Sequence, residues 1–544
     1  MKNKLTKNII SLFKLASIIS IPLFGLILLG VFVIPESLIY IKEVIGFGFL
    51  TLIVFSITVI FSSNKVRQIL SLVFLTLLSF LVFVKLSFYH NYGVKISASA
   101  LFVIFETDTT ESSDFLSNYF DGFVFGLAIL FTIILPVFAK WLLVKTNISG
   151  RFRYISVLAI STVVASSYAI NKRFDAENIV VTSITSYSEF ISLRKDLKTD
   201  LAKPVSNYVN VAKIDTTAQT HVVIIGEATS NWHMQLYGYN RPTNPKLSKI
   251  REQLIVFDSV ISPHVHTVMS LDKILTLSDM HAPNKKNNTS IVQLANAAGY
   301  DTYWISNQRP VGMHERISSI IANAAKEKYF VATDNSDDII YDEALLPILD
   351  KVLKKPSKQK IIFLHLIGTH GRYSSRFPES YNYFKDNSLN TKFKHEQAFK
   401  LINEYDNAIR YNDNIVNSVI DKVRQQNTNS FVLYFSDHGD ELFDTIDFIG
   451  HNEYQATRPM YEVPFIAWLS DEYKLNFNQT KRYNNFTKRA YNLEDFIYSF
   501  ADLAKINFKQ MDSTKSVFSD RFFRKPRLIR DNEDYDLRLK TLEN

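Results

Sequence analysis

Five long apolar stretches, at about 15–35, 44–64, 68–84, 122–139 and 154–171, carry few or no charges and constrain everything else in this chain of 544 residues. At 1.5 Å rise per residue, about 20 helical residues cover the roughly 30 Å of a bilayer's hydrocarbon. Buried helices of a soluble protein would present polar faces at helical spacing, and these stretches lack them. The first is also unlike a signal peptide, because no small-residue cleavage site with a polar mature sequence follows it. It is expected to remain as an anchor.

Charge follows the same division. Residues 1–172 hold 14 Lys/Arg and 7 Asp/Glu, whereas residues 173–544 hold 47 and 46, so nearly all of the net +8 sits in short segments beside apolar runs. That distribution gives no reason to expect a nucleic-acid partner. Lys2, Lys4 and Lys7, then Lys65 and Arg67, then Lys140, Lys145, Arg151 and Arg153 mark three cytoplasmic segments by the bias of short loops toward Lys and Arg. An odd number of spans then places everything after about residue 172 on the outer face, although Lys172 and Arg173 run against the rule there. The outside loop 86–120 carries Glu106, Asp108, Glu111 and Asp114, and its apolar run Ala98–Phe105 suits either an interfacial segment near a lipid head group or a solvated connector. The expected organisation is a transmembrane domain over 1–172, a polar linker over 173–217 and a catalytic domain over 218–544. With no cysteine, disulfides, thiol catalysis and thiolate metal sites are all excluded.

Beyond the linker, short apolar runs alternate with amphipathic stretches. His221–Ile225, Leu254–Phe257, Thr302–Ile305, Ile361–Leu366, Phe431–Phe435 and Val463–Leu469 suit buried strands, and Ile291–Ala298, Glu343–Leu353 and Glu396–Val423 suit helices. This predicts an α/β domain with a central, mostly parallel sheet covered on both faces, where ligands gather beyond the carboxyl ends of strands. Those ends are rich in carboxylates and imidazoles: Gly226-Glu227-Ala228-Thr229, Pro263-His264-Val265-His266-Thr267, Gly368-Thr369-His370-Gly371, Ser436-Asp437-His438-Gly439-Asp440-Glu441 and Gly450-His451-Asn452-Glu453. Nitrogen and oxygen donors without sulfur suit a divalent cation such as zinc. Thr267 stands where a helix begins; it suits an N-cap, and equally a hydroxyl activated by a cation beside a phosphate held at the helix end. Pattern alone leaves Ser262 and Ser270 as rival nucleophiles.

The stretch Gly226–Ser230, followed by His233-Met234-Gln235-Leu236-Tyr237-Gly238-Tyr239-Asn240-Arg241-Pro242-Thr243-Asn244-Pro245, resembles the signature of lipopolysaccharide phosphoethanolamine transferases, especially the heptose-phosphate-modifying branch. Ser262–Thr267, His365–Gly371 and Ser436–Glu441 resemble that family's other blocks in the same order. The resemblance implies five spans before a periplasmic domain of alkaline-phosphatase/sulfatase type in the bacterial inner membrane. It implies a zinc ion on Glu227, Thr267, Asp437 and His438, with Thr267 also the nucleophile. His370 and His451 match additional histidines that hold a second metal or the substrate phosphate and protonate the leaving group. Thr107 and Glu111 keep the spacing of a head-group-binding pair, but Val103 lacks an amide found there in some members; this and the absence of cysteine point away from the lipid A branch. The implied reaction, by a monomer, takes phosphoethanolamine from phosphatidylethanolamine through a phosphothreonine to lipopolysaccharide, at a core sugar, heptose phosphate or lipid A. A phosphoglycerol transferase is the alternative enzyme, a sulfatase or phosphatase is disfavoured by threonine at the nucleophile position, and a catalytically inactive membrane scaffold is the alternative from another class.

Overall fold

The structure is a computed structural model that describes residues 2–96, 101, 120–145, 153–201, 211–213, 217–281, 289–308, 317–332 and 339–539. Thr107 and Glu111 lie outside the described residues. Two compact units divide the chain, one running to Glu189 and the other from Phe190.

In the first unit, α1 (Lys2–Ile19) and α2 (Ile21–Val33) precede α3 (Ser37–Ile60), α4 (Asn64–Tyr92), α5 (Gly122–Val144) and α6 (Arg153–Arg173). Four of these helices are long and apolar enough to span a membrane, or up to five when the bent α1/α2 pair counts as one. The first apolar stretch is therefore not one straight helix. It bends by 43° at Ser20, where Pro22 opens the following helix without an N–H to give and with a ring that crowds the preceding turn. The helix α5 carries a π-turn at Leu130–Ile134, just ahead of Pro136, for the same reason. A charged cluster lies inside this unit: Lys85 bonds Glu43 and the Glu177 carbonyl (2.7 Å), and the Tyr89 hydroxyl donates to Glu43 at 2.8 Å. Lone charges among apolar helices are costly, so mutual pairing is what makes Glu43 and Lys85 tolerable there. The stretch expected to be a polar linker includes a 23-residue helix, α7 (Ile179–Leu201). Asn178 opens it with a side-chain oxygen that accepts from Val180 and Val181 N–H.

The second unit is built on a seven-stranded sheet: β1 (Gln219–Gly226), β2 (Leu254–Val256), β3 (Asp301–Ser306), β4 (Glu327–Phe330), β5 (Gln359–His365), β6 (Phe431–Ser436) and β7 (Phe465–Leu469). Its order is β2-β7-β6-β1-β5-β3-β4. The β6, β1, β5, β3 and β4 strands are parallel, while β7 runs antiparallel to both β6 and β2. Every residue of β1 is buried, as expected of a central strand covered on both faces. Below one face lies α9, numbered after α8 (Thr267–Leu275); α9 (Glu396–Arg424) buries Ile402, Ile409, Val416 and Val423 at helical spacing.

The His233–Pro245 block clamps onto α9. His233 donates from Nδ1 to Asp406 (2.7 Å) and lies 3.3 Å from Asp444, while Asp406 also accepts from Tyr239 (2.9 Å) and Arg241 (2.5 Å). Arg241 extends the network to Asp386 and Asn403. Burial disfavours a charged His233, but Asp444 and Asp406 outweigh it and lift the imidazole to about 10. The folded pKa thus exceeds the unfolded one of roughly 6.5, so this stabilisation is complete below that pH and is lost as pH rises through about 10. The melting midpoint, followed by tryptophan fluorescence in detergent, is expected to fall between pH 7 and 10. His233→Gln, destabilised by about 3 kcal/mol at pH 7 through the uncompensated carboxylates, should show a shallower fall.

Candidate metal centre and nucleophile

Three loops leave the carboxyl ends of β1, β5 and β6 and meet at one point. After β1 the chain turns sharply, with Ala228 at φ 54. The Tyr405 hydroxyl of α9 holds that turn, donating to Ala228 O and accepting from Ser230 N–H, both at 2.8 Å. Ala228 N–H donates to Asp437 Oδ1 (3.2 Å) and Thr229 N–H to Ser436 Oγ (2.9 Å), which ties the β1 loop to the β6 loop. The β5 loop is pinned by Asp342, whose carboxylate accepts from Ile367 and Gly368 N–H at 2.9 and 3.0 Å. Thr369 N–H then donates to Glu227 O at 3.0 Å.

This packing sets Glu227, Asp437 and His438 together, all fully or almost fully buried, with donor atoms within 4.8 Å of one another. Thr267, the first residue of α8, places its hydroxyl 3.0 Å from Glu227 Oε1, 3.2 Å from Oε2 and 3.4 Å from His438 Nε2. His438 Nε2 in turn is 3.1 Å from Glu227 and 3.7 Å from Asp437. The rival hydroxyls are already engaged elsewhere: Ser262 Oγ donates to the Asp437 carbonyl, and Ser270 Oγ donates to His264 O at 2.9 Å. Of these three hydroxyls, Thr267 is the one that faces Glu227.

The electrostatics of the pocket favour added positive charge. Burial and the neighbouring Glu227 carboxylate push the Asp437 carboxyl well above the usual range. Burial also disfavours charge on Glu227, but the hydrogen bond and charge of His438 overcome it and hold that carboxyl low. Asp437 Oδ2 is buried and has no hydrogen-bond partner among the described residues. Two buried carboxylates, an imidazole and a hydroxyl, with one carboxylate oxygen unspent, form a donor set that fits a divalent cation.

A second group, His438, Asp440 and His451, adjoins the first through His438. His451 turns Nδ1–H to Asp440 Oδ1 (2.7 Å), an arrangement that fixes its tautomer and leaves Nε2 as a lone-pair donor. Burial and the nearby His438 lower its pKa, which keeps the ring neutral. His370 joins neither group; its Nδ1 has no hydrogen-bond partner among the described residues, although its charge reaches Glu227. Sequence reasoning missed Gln308, whose Nε2 donates to Glu227 Oε2 (3.0 Å) and to Leu366 O (3.1 Å). Its position just past β3, on the same sheet edge, was the available signal. Two roles of Asp440 and Tyr405, orienting His451 and the β1 turn, were not visible in spacing either.

Comparison with known proteins bears on the family and the fold. Residues 219–506 match the family described as Sulfatase. Phosphoethanolamine transferase EptC of Escherichia coli (strain K12) is 30% identical over 466 residues, 80% of each chain. The crystal structure of the C-terminal periplasmic domain of Escherichia coli EptC in complex with Zn superposes with a TM-score of 0.57 at 30% identity, covering 62% of this chain and 95% of that one. The integral membrane protein lipooligosaccharide phosphoethanolamine transferase A (EptA) of Neisseria meningitidis shares the fold across 93% of this chain and 97% of its own, with a TM-score of 0.66 at 18% identity.

Gly368 offers a test of how the loops set the centre. Its φ is +54, and a Cβ there would stand 2.7 Å from Glu227 O and 2.8 Å from Glu227 N. Gly368→Ala is expected to cost about 2 kcal/mol and to lower the divalent metal retained on purification, measured by elemental analysis. Gly371→Ala, where a Cβ meets nothing within 4 Å, should change neither.

Proposed function

The chain belongs to the phosphoethanolamine transferases of the sulfatase family, and from that premise we propose that it carries phosphoethanolamine from phosphatidylethanolamine to a sugar phosphate or sugar hydroxyl of lipopolysaccharide, through a phosphothreonine at Thr267. The observation that carries this reading is the Thr267 hydroxyl at 3.0 Å from Glu227 and 3.4 Å from His438, on the first turn of α8. Glu227, Thr267, Asp437 and His438 would hold a zinc ion, with His370 and His451 available to a second metal or to the phosphate. When bound, zinc lowers the hydroxyl pKa and screens the charge of the phosphate.

The chain's own groups divide the remaining work. Glu227, itself oriented by Gln308, accepts the hydrogen bond that aims Oγ1. Oγ1 gives up its proton to solvent and forms a bond to the donor's phosphorus while the bond from phosphorus to the diacylglycerol oxygen breaks. His370 supplies the proton that the departing oxygen needs. The open N–H groups of the first turn of α8 and the positive helix end favour the phosphoryl oxygens. In the second displacement His451, neutral and steadied by Asp440, takes the acceptor's proton at Nε2 as the acceptor oxygen replaces Thr267 on phosphorus. Thr107 and Glu111 are proposed to hold the donor's head group. On this reading the catalytic unit works on the periplasmic side of a bacterial inner membrane, where both lipid-anchored substrates are within reach.

Thr267→Ala should lower transfer roughly a thousandfold or more while the protein stays folded and membrane-bound. Mass spectrometry of the wild-type chain after incubation with phosphatidylethanolamine should find phosphoethanolamine on the Thr267 peptide, and phosphatidylglycerol should leave no adduct. Chelation should stop turnover and zinc restore it. Undiminished transfer by the alanine variant would overturn the reading.

A further inference from the structure

The sheet edge that carries Thr267 also carries a basic and aromatic surface that neither the metal centre nor the core uses. Because β7 is antiparallel to both β6 and β2, β2 points the same way as β6 and β1. The carboxyl end of β2 therefore lies on the edge of Glu227 and Asp437. Just beyond it, Asp258 N–H donates to Thr487 O (2.8 Å), and Phe257 packs edge-on against Phe518 at 5.4 Å. Two segments meet there, 478–489 and 517–525. Arg489 Nη1 donates to Val517 O and Ser519 O at 2.6 and 2.7 Å, Tyr483 packs on Phe518 at 5.2 Å, and Arg482 pairs with Asp520 at 2.7 Å.

Together the two segments hold seven Lys/Arg and one acidic residue, Asp520. Asp512 and Asp536 offset part of this, at 3.9 Å from Lys525 and 3.5 Å from Arg524. Phe523 protrudes, 67% exposed, between the exposed Arg521, Arg524 and Lys525. A cavity of about 300 Å³ opens beside the segments, where Arg482 and Arg521 are matched by Asp502 and Asp520 next to the rings of Tyr483, Phe486 and Phe518.

We propose that this face docks on the anionic phospholipids of the bilayer, with Phe523 at head-group depth and Arg521, Arg524 and Lys525 against the lipid phosphates. A basic rim around a protruding aromatic is the pattern of an interfacial contact, in which the ring and the stems of long cations sit among the head groups. An acidic protein would match the charge, but a single protruding ring supplies little of the apolar centre that a protein interface needs. Because the spans belong to the same chain, docking is an intramolecular event, and a contact too weak to recruit a soluble protein is enough. The inference rests on the membrane helices and this surface, not on the phosphothreonine.

The chain's lack of cysteine allows a clean test. Phe523→Cys carries a nitroxide, an apolar group standing where the ring stood, in the full-length protein reconstituted in nanodiscs of phosphatidylcholine with or without phosphatidylglycerol. Power-saturation electron paramagnetic resonance then reports depth, from access to oxygen against access to a water-soluble nickel chelate. Immersion is expected with phosphatidylglycerol, reversed by high salt. Each of Arg521→Gln, Arg524→Gln and Lys525→Gln should lower the ratio of immersed to free label about fivefold. A label that stays in water in both lipids, one immersed equally in both, or one unaffected by the triple variant would overturn the proposal. The readout needs no turnover and should be the same with Thr267→Ala, so its failure leaves the catalytic reading untouched and the reverse also holds.

Discussion

Two carboxylates, Glu227 and Asp437, are buried side by side with a single imidazole, His438, between them and solvent out of reach. Like charges in a low-dielectric pocket repel, and the arrangement is tolerable only with a proton or a cation in it. Much of the second unit serves to keep these groups together. Tyr405 locks the strained turn after β1, Asp342 holds the β5 loop by two backbone N–H groups, and the β6 loop accepts its neighbour's N–H through Asp437 itself. Gly439 is part of the same closure, because any Cβ there would collide with Pro459 O and press on Ser230. The demand for positive charge is thus built into the backbone, and a threonine at the start of α8 is the hydroxyl that shares it.

The membrane unit solves a related problem by a different route. Glu43 and Lys85 sit on apolar helices and neutralise one another, with Tyr89 and a backbone carbonyl taking up the remaining valences. Here the charges are satisfied and closed, whereas at Glu227 and Asp437 one carboxylate oxygen has no hydrogen-bond partner among the described residues. That difference separates a cluster that holds helices together from one that is prepared to bind.

Much of this was legible in the chain. Runs such as Ile361–Leu366 and Phe431–Phe435 had to be central strands because both of their faces are apolar, and the residues after them had to share one edge because the strands are parallel. The reversed direction of β7 was not legible, since a buried strand has the same composition either way round. The break at Ser20 was foreshadowed by Pro22, yet hydropathy averages over a bend. The helix at Ile179–Leu201 was hidden because its polar content resembles a linker's, and helix formation depends on spacing and capping as well as on apolarity.

By itself the sequence determined that the chain has apolar spans followed by an α/β unit, and that carboxylates and imidazoles cluster at strand ends, because periodicity and composition act locally along the chain. Only the tertiary structure decided which of those groups touch. Thr267, not Ser262 or Ser270, faces Glu227; Gln308 reaches the same carboxylate from another strand; His370 joins neither metal-ligating group. Such choices depend on contacts between residues far apart in the chain, set by how loops pack across the sheet edge, and no local pattern records them.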